Sequence, residues 1–192
     1  MRLAVFGYGS LASPASAAET LGRPVEISEP LRLPGWNRRW STIRDNHKVE
    51  KSFAPASGDG AIEWCLGLNL EPAPGSEGPN GVLVEISEAE ADRLDLREMR
   101  YERVDPGEEV AAEHGFDRVI AYAARPEHVA SAPPPGGAVI IAAYLETVEA
   151  AFEALGPGQL DLFRETTGPP PVDPVEAVLV DHSIPPGNPT SW

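Results

Sequence analysis

Residues 2–23 read RLAVFGYGSLASPASAAETLGR, and this stretch gives the first indication of the fold. An apolar run ends at a glycine-rich turn, and a short alanine-rich segment follows Ser13 and Pro14. We predict a strand, a turn and a short helix, because Ser is a preferred N-cap and Pro is favoured in the first helical turn. Residues 7–12, GYGSLA, also fit the glycine spacing of dinucleotide-binding turns, so two interpretations of this turn compete.

The composition limits the classes of partner. The chain has 192 residues, enough for one domain with a sizeable core, and a formal net charge of -15. Such a charge repels a phosphate backbone and an anionic membrane surface. We therefore expect no nucleic acid partner and no membrane partner.

Cysteine usage and the absence of targeting signals indicate a cytoplasmic protein. The single cysteine, Cys65, lies in the apolar run WCLGLNL, which favours a small buried side chain over a nucleophile. The N-terminus lacks the features of a signal peptide, and no run approaches the roughly 20 apolar residues of a membrane span. We expect a monomer or homodimer in the cytoplasm.

Proline- and glycine-rich clusters divide the chain into short periodic segments. The predicted strands are residues 2–8, 31–34, 37–44, 64–70, 81–86, 100–105 and 117–124. The predicted helices are a short one after Pro14, one beginning at Ser87, one near 139–155 and one at 158–165. At the second helix, Ser87 and Glu90 have the spacing of a capping box, and Ala91 and Leu94 fall on one face.

This order of elements argues against a dinucleotide-binding domain. Such a domain needs strands alternating with helices and an acidic residue about 20 positions beyond the glycines. Glu26 or Glu29 could supply the acid, but several predicted strands follow with one helix among them. The predicted fold is instead α+β: a small mixed or antiparallel β-barrel with flanking helices in residues 1–170, followed by an irregular tail in 171–192.

Three segments, in this order and spacing, resemble the γ-glutamylcyclotransferase superfamily. They are VFGYGSL (5–11), GVLVEISEAEADRLDLREMRY (81–101) and AYLETVEAAFEALG (143–156). The resemblance runs from about residue 2 to about residue 165. It implies a small β-barrel enzyme that cleaves γ-glutamyl compounds by cyclisation and releases 5-oxoproline and an amine without a cofactor.

The resemblance also implies a set of site residues. Glu98 would be the catalytic acid and base. The turn would hold the γ-glutamyl group, and three tyrosines would complete the pocket: Tyr8, Gly9, Ser10 and Leu11 in the turn, with Tyr144, Tyr101 and Tyr122 around it. From residue type alone, Tyr101 and Tyr122 are equally well explained as core aromatics.

The chemistry of cyclisation fits these residue types. The substrate's α-amine attacks its own γ-carbonyl, so the nucleophile is already tethered and no enzymic serine or cysteine is needed. One carboxylate can take a proton from the α-ammonium group and return it to the departing nitrogen. Glu98 is predicted at the carboxyl end of its helix, where the macrodipole disfavours negative charge, which suits a group that must take up a proton. A glycine-rich turn supplies backbone N–H donors for a carboxylate or a developing oxyanion.

Other polar residues carry weaker signals. Asp95, Arg97 and Glu102 are predicted to be solvated surface residues. The arginines of WNRRWSTIR (36–44) could guide an anionic substrate, or they could alternate with core tryptophans or stack on them. The four histidines lack metal-ligand spacing, so no metal is assigned.

Three other functions stay open: a non-catalytic binder of small γ-glutamyl or anionic ligands, a nucleotide-binding oxidoreductase, and an acidic scaffold. The leaving amine also stays open, since it depends on loops such as 54–63, 71–80 and 131–138. Glutathione, γ-glutamyl amino acids and γ-glutamyl amines are all candidate substrates.

Overall fold

Residues 1–46 and 51–181 are described by a computed structural model, in which they form eleven strands and five helices. The strands are β1 Leu3–Gly7, β2 Leu31–Arg32, β3 Trp36–Asp45, β4 Ser52–Pro55, β5 Trp64–Pro72, β6 Asn80–Ile86, β7 Tyr101–Val104, β8 Arg118–Ala124, β9 Ala138–Ile141, β10 Pro174–Val175 and β11 Ala177–Asp181. The helices are α1 Pro14–Leu21, α2 Glu88–Arg97, α3 Glu108–Glu113, α4 Ala142–Ala154 and α5 Gln159–Thr167. Single 3₁₀ turns lie at Ser10–Ala12 and Pro126–His128.

The α+β class is confirmed, but the expectation of a barrel is wrong in that the described strands do not close into one. They form a five-stranded sheet in the order β2-β6-β1-β8-β7, a four-stranded sheet in the order β10-β9-β5-β3, and the pair β11-β4. A closed barrel needs a continuous backbone ladder. Where β5 approaches β8, the Asn69 side chain instead accepts a hydrogen bond from the Ala124 N–H at 2.7 Å.

The first sheet also disagrees with a dinucleotide-binding fold. Strand β1 is antiparallel to β6 and parallel to β8. The β7–β8 and β2–β6 pairs are antiparallel as well. A doubly wound domain places its first strand within a mostly parallel sheet, so the glycine-rich turn after β1 has a different structural setting here.

All seven predicted strands are present, and the local helix signals are confirmed. The Ser13 side chain caps α1 by accepting from the Ser16 N–H, and Pro14 occupies the first helical turn. Ser87 and Glu90 form the predicted capping box at α2. Both predicted core residues of α2, Ala91 and Leu94, are fully buried.

Several elements differ from prediction. Residues 138–141 form β9, not the start of a helix, and helix α4 begins at Ala142. Three consecutive β-branched residues at 139–141 favour the extended conformation. Strand β4 and helix α3 were not predicted.

The tail expected to be irregular contains two strands. Strand β10 pairs in parallel with β9, and β11 pairs antiparallel with β4. Their partners lie more than a hundred positions away in some pairs and therefore leave no local sequence signal. Residues 182–192 of the predicted tail lie outside the described residues.

The buried interior includes charged groups. Arg38 is fully buried against the rings of Phe152 and Phe163, and Arg44 is buried over Phe53. The interpretation as a surface patch that guides an anionic substrate is therefore wrong for Arg38 and Arg44. Both stack on aromatic rings, but on phenylalanines and not on the tryptophans of the segment.

Two further expectations concern burial and membrane contact. Cys65 is buried as predicted, and burial raises the pKa of its thiol, which makes it a poor nucleophile. No helix formed by residues 1–46 and 51–181 has both the length and the apolar character needed to cross a bilayer.

Candidate active site

A pocket that is partly open to solvent lies at the end of β1. It is lined by Phe6, Tyr8, Gly9, Ser10, Leu11, Leu68, Glu98, Tyr101, Tyr122 and Tyr144. The structure thus brings together all eight residues that the sequence resemblance singled out, including all four tyrosines of the chain. Their catalytic and binding roles remain predictions.

The glycine-rich turn forms the floor of this pocket. The N–H groups of Ala12 and Ser13 donate to the carbonyls of Gly9 and Ser10, which closes the 3₁₀ turn. In the part of the chain that the structure describes, the N–H groups of residues 9–11 have no protein acceptor. These N–H groups can therefore serve as donors to a ligand, as expected for the first residues of a helical turn.

Glu98 is held at the junction between α2 and β7. It caps the helix: its N–H donates to the Leu94 carbonyl at 2.7 Å, and its own carbonyl accepts from the Tyr101 N–H at 2.8 Å. This tight turn places Glu98 and Tyr101 on the same wall of the pocket. The Glu98 side chain is 18% exposed, and one carboxylate oxygen lies 3.5 Å from Nε of Arg97.

Three tyrosine hydroxyls donate to acceptors within the protein. Tyr8 donates to the Tyr122 carbonyl at 2.7 Å, and Tyr101 donates to the Leu68 carbonyl at 2.8 Å. The Tyr122 hydroxyl donates to Oδ1 of Asp95 at 2.8 Å. The hydroxyl proton of Tyr122 is thus used to hold α2 against β8, while other atoms of this residue line the pocket.

Tyr144 lies in the first turn of α4, directly after β9. Its ring packs edge-on against Trp40, with centroids 6.2 Å apart, and its hydroxyl accepts a hydrogen bond from the backbone of Leu68. A Cβ built on Gly9 would lie 3.6 Å from this hydroxyl oxygen. The Tyr144 hydroxyl therefore faces the glycine-rich turn across the pocket.

Leu68 was not predicted as a site residue, although its backbone organises the tyrosines. Its carbonyl accepts from the hydroxyls of Tyr101 and Thr42, and its N–H binds Tyr144. The β3–β5 register shifts beside it, with Ser41 bulged between the paired residues 40 and 42. Bulges are frequent next to active sites, but nothing in the sequence marks this one.

The protonation states of the residues that line the pocket leave one candidate for a catalytic base. Burial raises the pKa of Tyr144 to about 12, and burial also raises the pKa values of Tyr8, Tyr101 and Tyr122. All four phenols are therefore neutral at pH 7 and can act as donors. Glu98 is the one carboxylate among the ten lining residues.

Alkaline titration provides a test of this electrostatic environment. Because the pKa of each tyrosine is raised, we expect the native protein to show little tyrosinate absorbance at pH 10, where the urea-unfolded chain is about half ionised. A folded pKa above the unfolded value gives stability that is present below pH 10 and is lost as the pH rises further. Ionisation and loss of near-ultraviolet circular dichroism then occur together. Tyrosines that ionise near pH 10 in a protein that stays folded would contradict the buried cluster.

The neighbouring charged residues differ in their environments. Glu102 is exposed, as predicted. Asp95 is exposed as well, although its carboxylate accepts from Tyr122 and Arg103. The surface prediction is wrong for Arg97, whose side chain is only 11% exposed. Of the histidines considered for metal binding, His47 and His182 lie outside the described residues.

Comparison with known proteins identifies the fold. No family model matches the chain, and no curated protein matches it. A solved structure named gamma-glutamyl cyclotransferase is 14% identical, with a TM-score of 0.56 over 88% of this chain and 90% of that one. A solved structure of an uncharacterized protein from Homo sapiens is 16% identical, with a TM-score of 0.56 over 88% and 89% of the two chains. The resemblance seen in the sequence is thereby confirmed at the level of the fold.

Proposed function

We propose that this chain is a γ-glutamylcyclotransferase, an enzyme that cleaves a γ-glutamyl amide by internal cyclisation. The observation that carries the proposal is the composition of the pocket: one carboxylate, four protonated tyrosines and a glycine-rich turn with unused N–H donors. The shared fold with a protein named gamma-glutamyl cyclotransferase adds support. The further proposal that the enzyme needs no cofactor rests on the reaction itself, in which the substrate's own amine is the nucleophile and one carboxylate moves the protons.

The proposed reaction uses Glu98 as both base and acid. Its carboxylate first takes a proton from the substrate's α-ammonium group, and the freed amine attacks the γ-carbonyl carbon to form a five-membered ring. The protonated Glu98 then gives this proton to the departing nitrogen as the original amide C–N bond breaks. The ionised carboxylate can next take the second proton that the ring nitrogen must lose and pass it to the released amine, which leaves as the ammonium ion. The products are 5-oxoproline and a free amine, and no water is consumed.

The remaining pocket residues have binding and electrostatic roles in this proposal. The N–H groups of residues 9–11 bind the α-carboxylate or the developing oxyanion, because preorganised donors stabilise charge in a partly buried site. Tyr144 is suited to donate to the same oxygens, since its pKa of about 12 keeps it protonated.

The decisive experiment is a substrate panel. Glutathione, γ-glutamyl amino acids and γ-glutamyl amines are incubated with the protein in the presence of a metal chelator, and 5-oxoproline is measured. We expect release from at least one compound. Binding without release from any of them would favour a non-catalytic binder, and no thermal shift with any compound would favour a scaffold.

Substitution of Gly9 tests the role of the turn. A Cβ added at Gly9 would meet Leu68 and Tyr144 at ordinary contact distances of 3.5 and 3.6 Å. Gly9→Val therefore adds bulk to the ligand space beside the turn. We expect KM of the folded protein to rise at least about tenfold, in line with the cost of overpacking.

Gly7→Ala is the matched control for the turn. A Cβ at Gly7 would lie 2.8 Å from the Leu11 backbone oxygen, so this substitution strains the fold itself. We expect a loss of stability of about 1–3 kcal/mol. An unchanged KM in Gly9→Val would mean that the ligand does not occupy the space beside the turn.

A further inference from the structure

Arg97 ends α2, and its guanidinium joins three parts of the site. Nη1 donates to Thr20 Oγ1 at 2.7 Å, and Nη2 donates to Ser10 Oγ at 2.9 Å. Nε lies 3.5 Å from Oε1 of Glu98. Arg97 thus contacts α1, the glycine-rich turn and the proposed acid/base at once.

The hydrogen bonds fix the direction of each donor. Arginine can only donate, so Thr20 and Ser10 both act as acceptors towards Arg97. The Thr20 hydroxyl gives its own proton to the Ser16 carbonyl at 2.9 Å. The Thr20 side chain is therefore fully used within the protein.

The Ser10 side chain differs from that of Thr20 in its hydrogen bonds. Its oxygen accepts from Arg97, and among residues 1–46 and 51–181 no acceptor is found for its own hydroxyl proton. Ser10 lines the pocket. With Arg97 occupying one side of the oxygen, the hydroxyl remains able to donate to a ligand oxygen.

We infer that Arg97 is a positioning residue that makes Ser10 a hydrogen-bond donor to the α-carboxylate of a bound γ-glutamyl compound. The inference rests on the proposed function. It goes beyond it by assigning a role to Arg97 and by naming the ligand group that Ser10 recognises.

The test is a double-mutant cycle for binding, carried out in the Glu98→Gln protein, where the ligand is not consumed. Glutathione and γ-glutamylalanine are titrated calorimetrically into this protein and into versions carrying Arg97→Met, Ser10→Ala or both. We expect each single substitution to weaken binding about tenfold or more, as for loss of a hydrogen bond to a charged group. The double substitution then weakens it no more than the stronger single one, because Arg97 acts through Ser10.

A ligand analogue provides a readout that a purely structural role of Arg97 would not change. The 4-aminobutyryl analogue of γ-glutamylalanine lacks the α-carboxylate. We expect it to bind weakly, with an affinity that neither Arg97→Met nor Ser10→Ala changes. Equal sensitivity of both compounds to these substitutions would overturn the inference.

Arg93 supplies the matched control. It lies one turn earlier on α2 and also joins α2 to α1, through the carbonyls of Leu21 and Thr20, but its described hydrogen bonds do not reach Ser10. Arg93→Met is expected to leave both affinities within about twofold. If Arg93→Met weakens binding as much as Arg97→Met, or if the cycle is additive, Arg97 does not act through Ser10. Failure of every γ-glutamyl compound to bind even the parent protein would overturn the proposed function as well.

Discussion

A Glu98→Gln variant is expected to lose turnover by about 10²-fold to 10⁴-fold, the usual contribution of general acid–base catalysis. Glutamine keeps the size and the hydrogen-bonding capacity of the side chain but cannot take up and return a proton. The loss is therefore expected in kcat, with a much smaller change in ligand affinity. Steady-state release of 5-oxoproline and calorimetric binding of the same compound measure the two quantities separately.

Glu102→Gln is the control for this prediction. Glu102 lies on β7, four residues from Glu98, and is exposed, whereas Asp95 is bonded to Tyr122 and Arg103. We expect Glu102→Gln to keep turnover within about twofold, as for a surface substitution away from the pocket. If Glu98→Gln keeps turnover within a few-fold of the parent, Glu98 is not the acid/base and the end of α2 has only a structural role.

The parts of the fold that could be predicted are those with local signals. The cap of α2 depends on Ser87 and Glu90, three positions apart, and it is present as predicted. The strand at 138–141 was missed because an apolar run fits both a strand and a buried helix, and its pairing with β5 and β10 decides the outcome. Pairing between distant segments cannot be read from either segment alone.

Some residues of the candidate site could likewise be predicted from the sequence, and others could not. Gly9, Ser10 and Glu98 were predicted from the resemblance of two short segments to a known family. The helix end alone does not distinguish Glu98 from the many other carboxylates of the chain. Arg97 was expected on the surface because its partner Ser10 is 87 positions away. Leu68 carries no polar side chain, and its role depends on backbone groups that sequence patterns do not distinguish.

Arg38 also joins elements that are distant in sequence. Its charge is buried, and its described contacts include no carboxylate. The guanidinium donates to the carbonyls of Tyr8, Asn80 and Phe163, and to side-chain oxygens of Asn80, Thr166 and Thr167. Two phenylalanine rings lie over it at 4.2 and 4.8 Å. Burial lowers the pKa of this group, and its many acceptors and the two rings offset the cost of desolvation.

Replacing Arg38 by methionine is expected to lower the free energy of unfolding by about 3 kcal/mol or more, since several buried acceptors lose their donor together. Arg38→Lys is expected to be at least as destabilising, because lysine keeps the charge but cannot reproduce the planar set of donors. Urea unfolding of both variants measures these changes, with the exposed neighbour Arg39→Met as a control expected to stay within about 0.5 kcal/mol. A loss below about 1 kcal/mol in Arg38→Met would mean that water or rearranged side chains satisfy the acceptors. Because one of these acceptors is the carbonyl of Tyr8, which begins the glycine-rich turn, the same substitution is expected to weaken ligand binding in the molecules that remain folded.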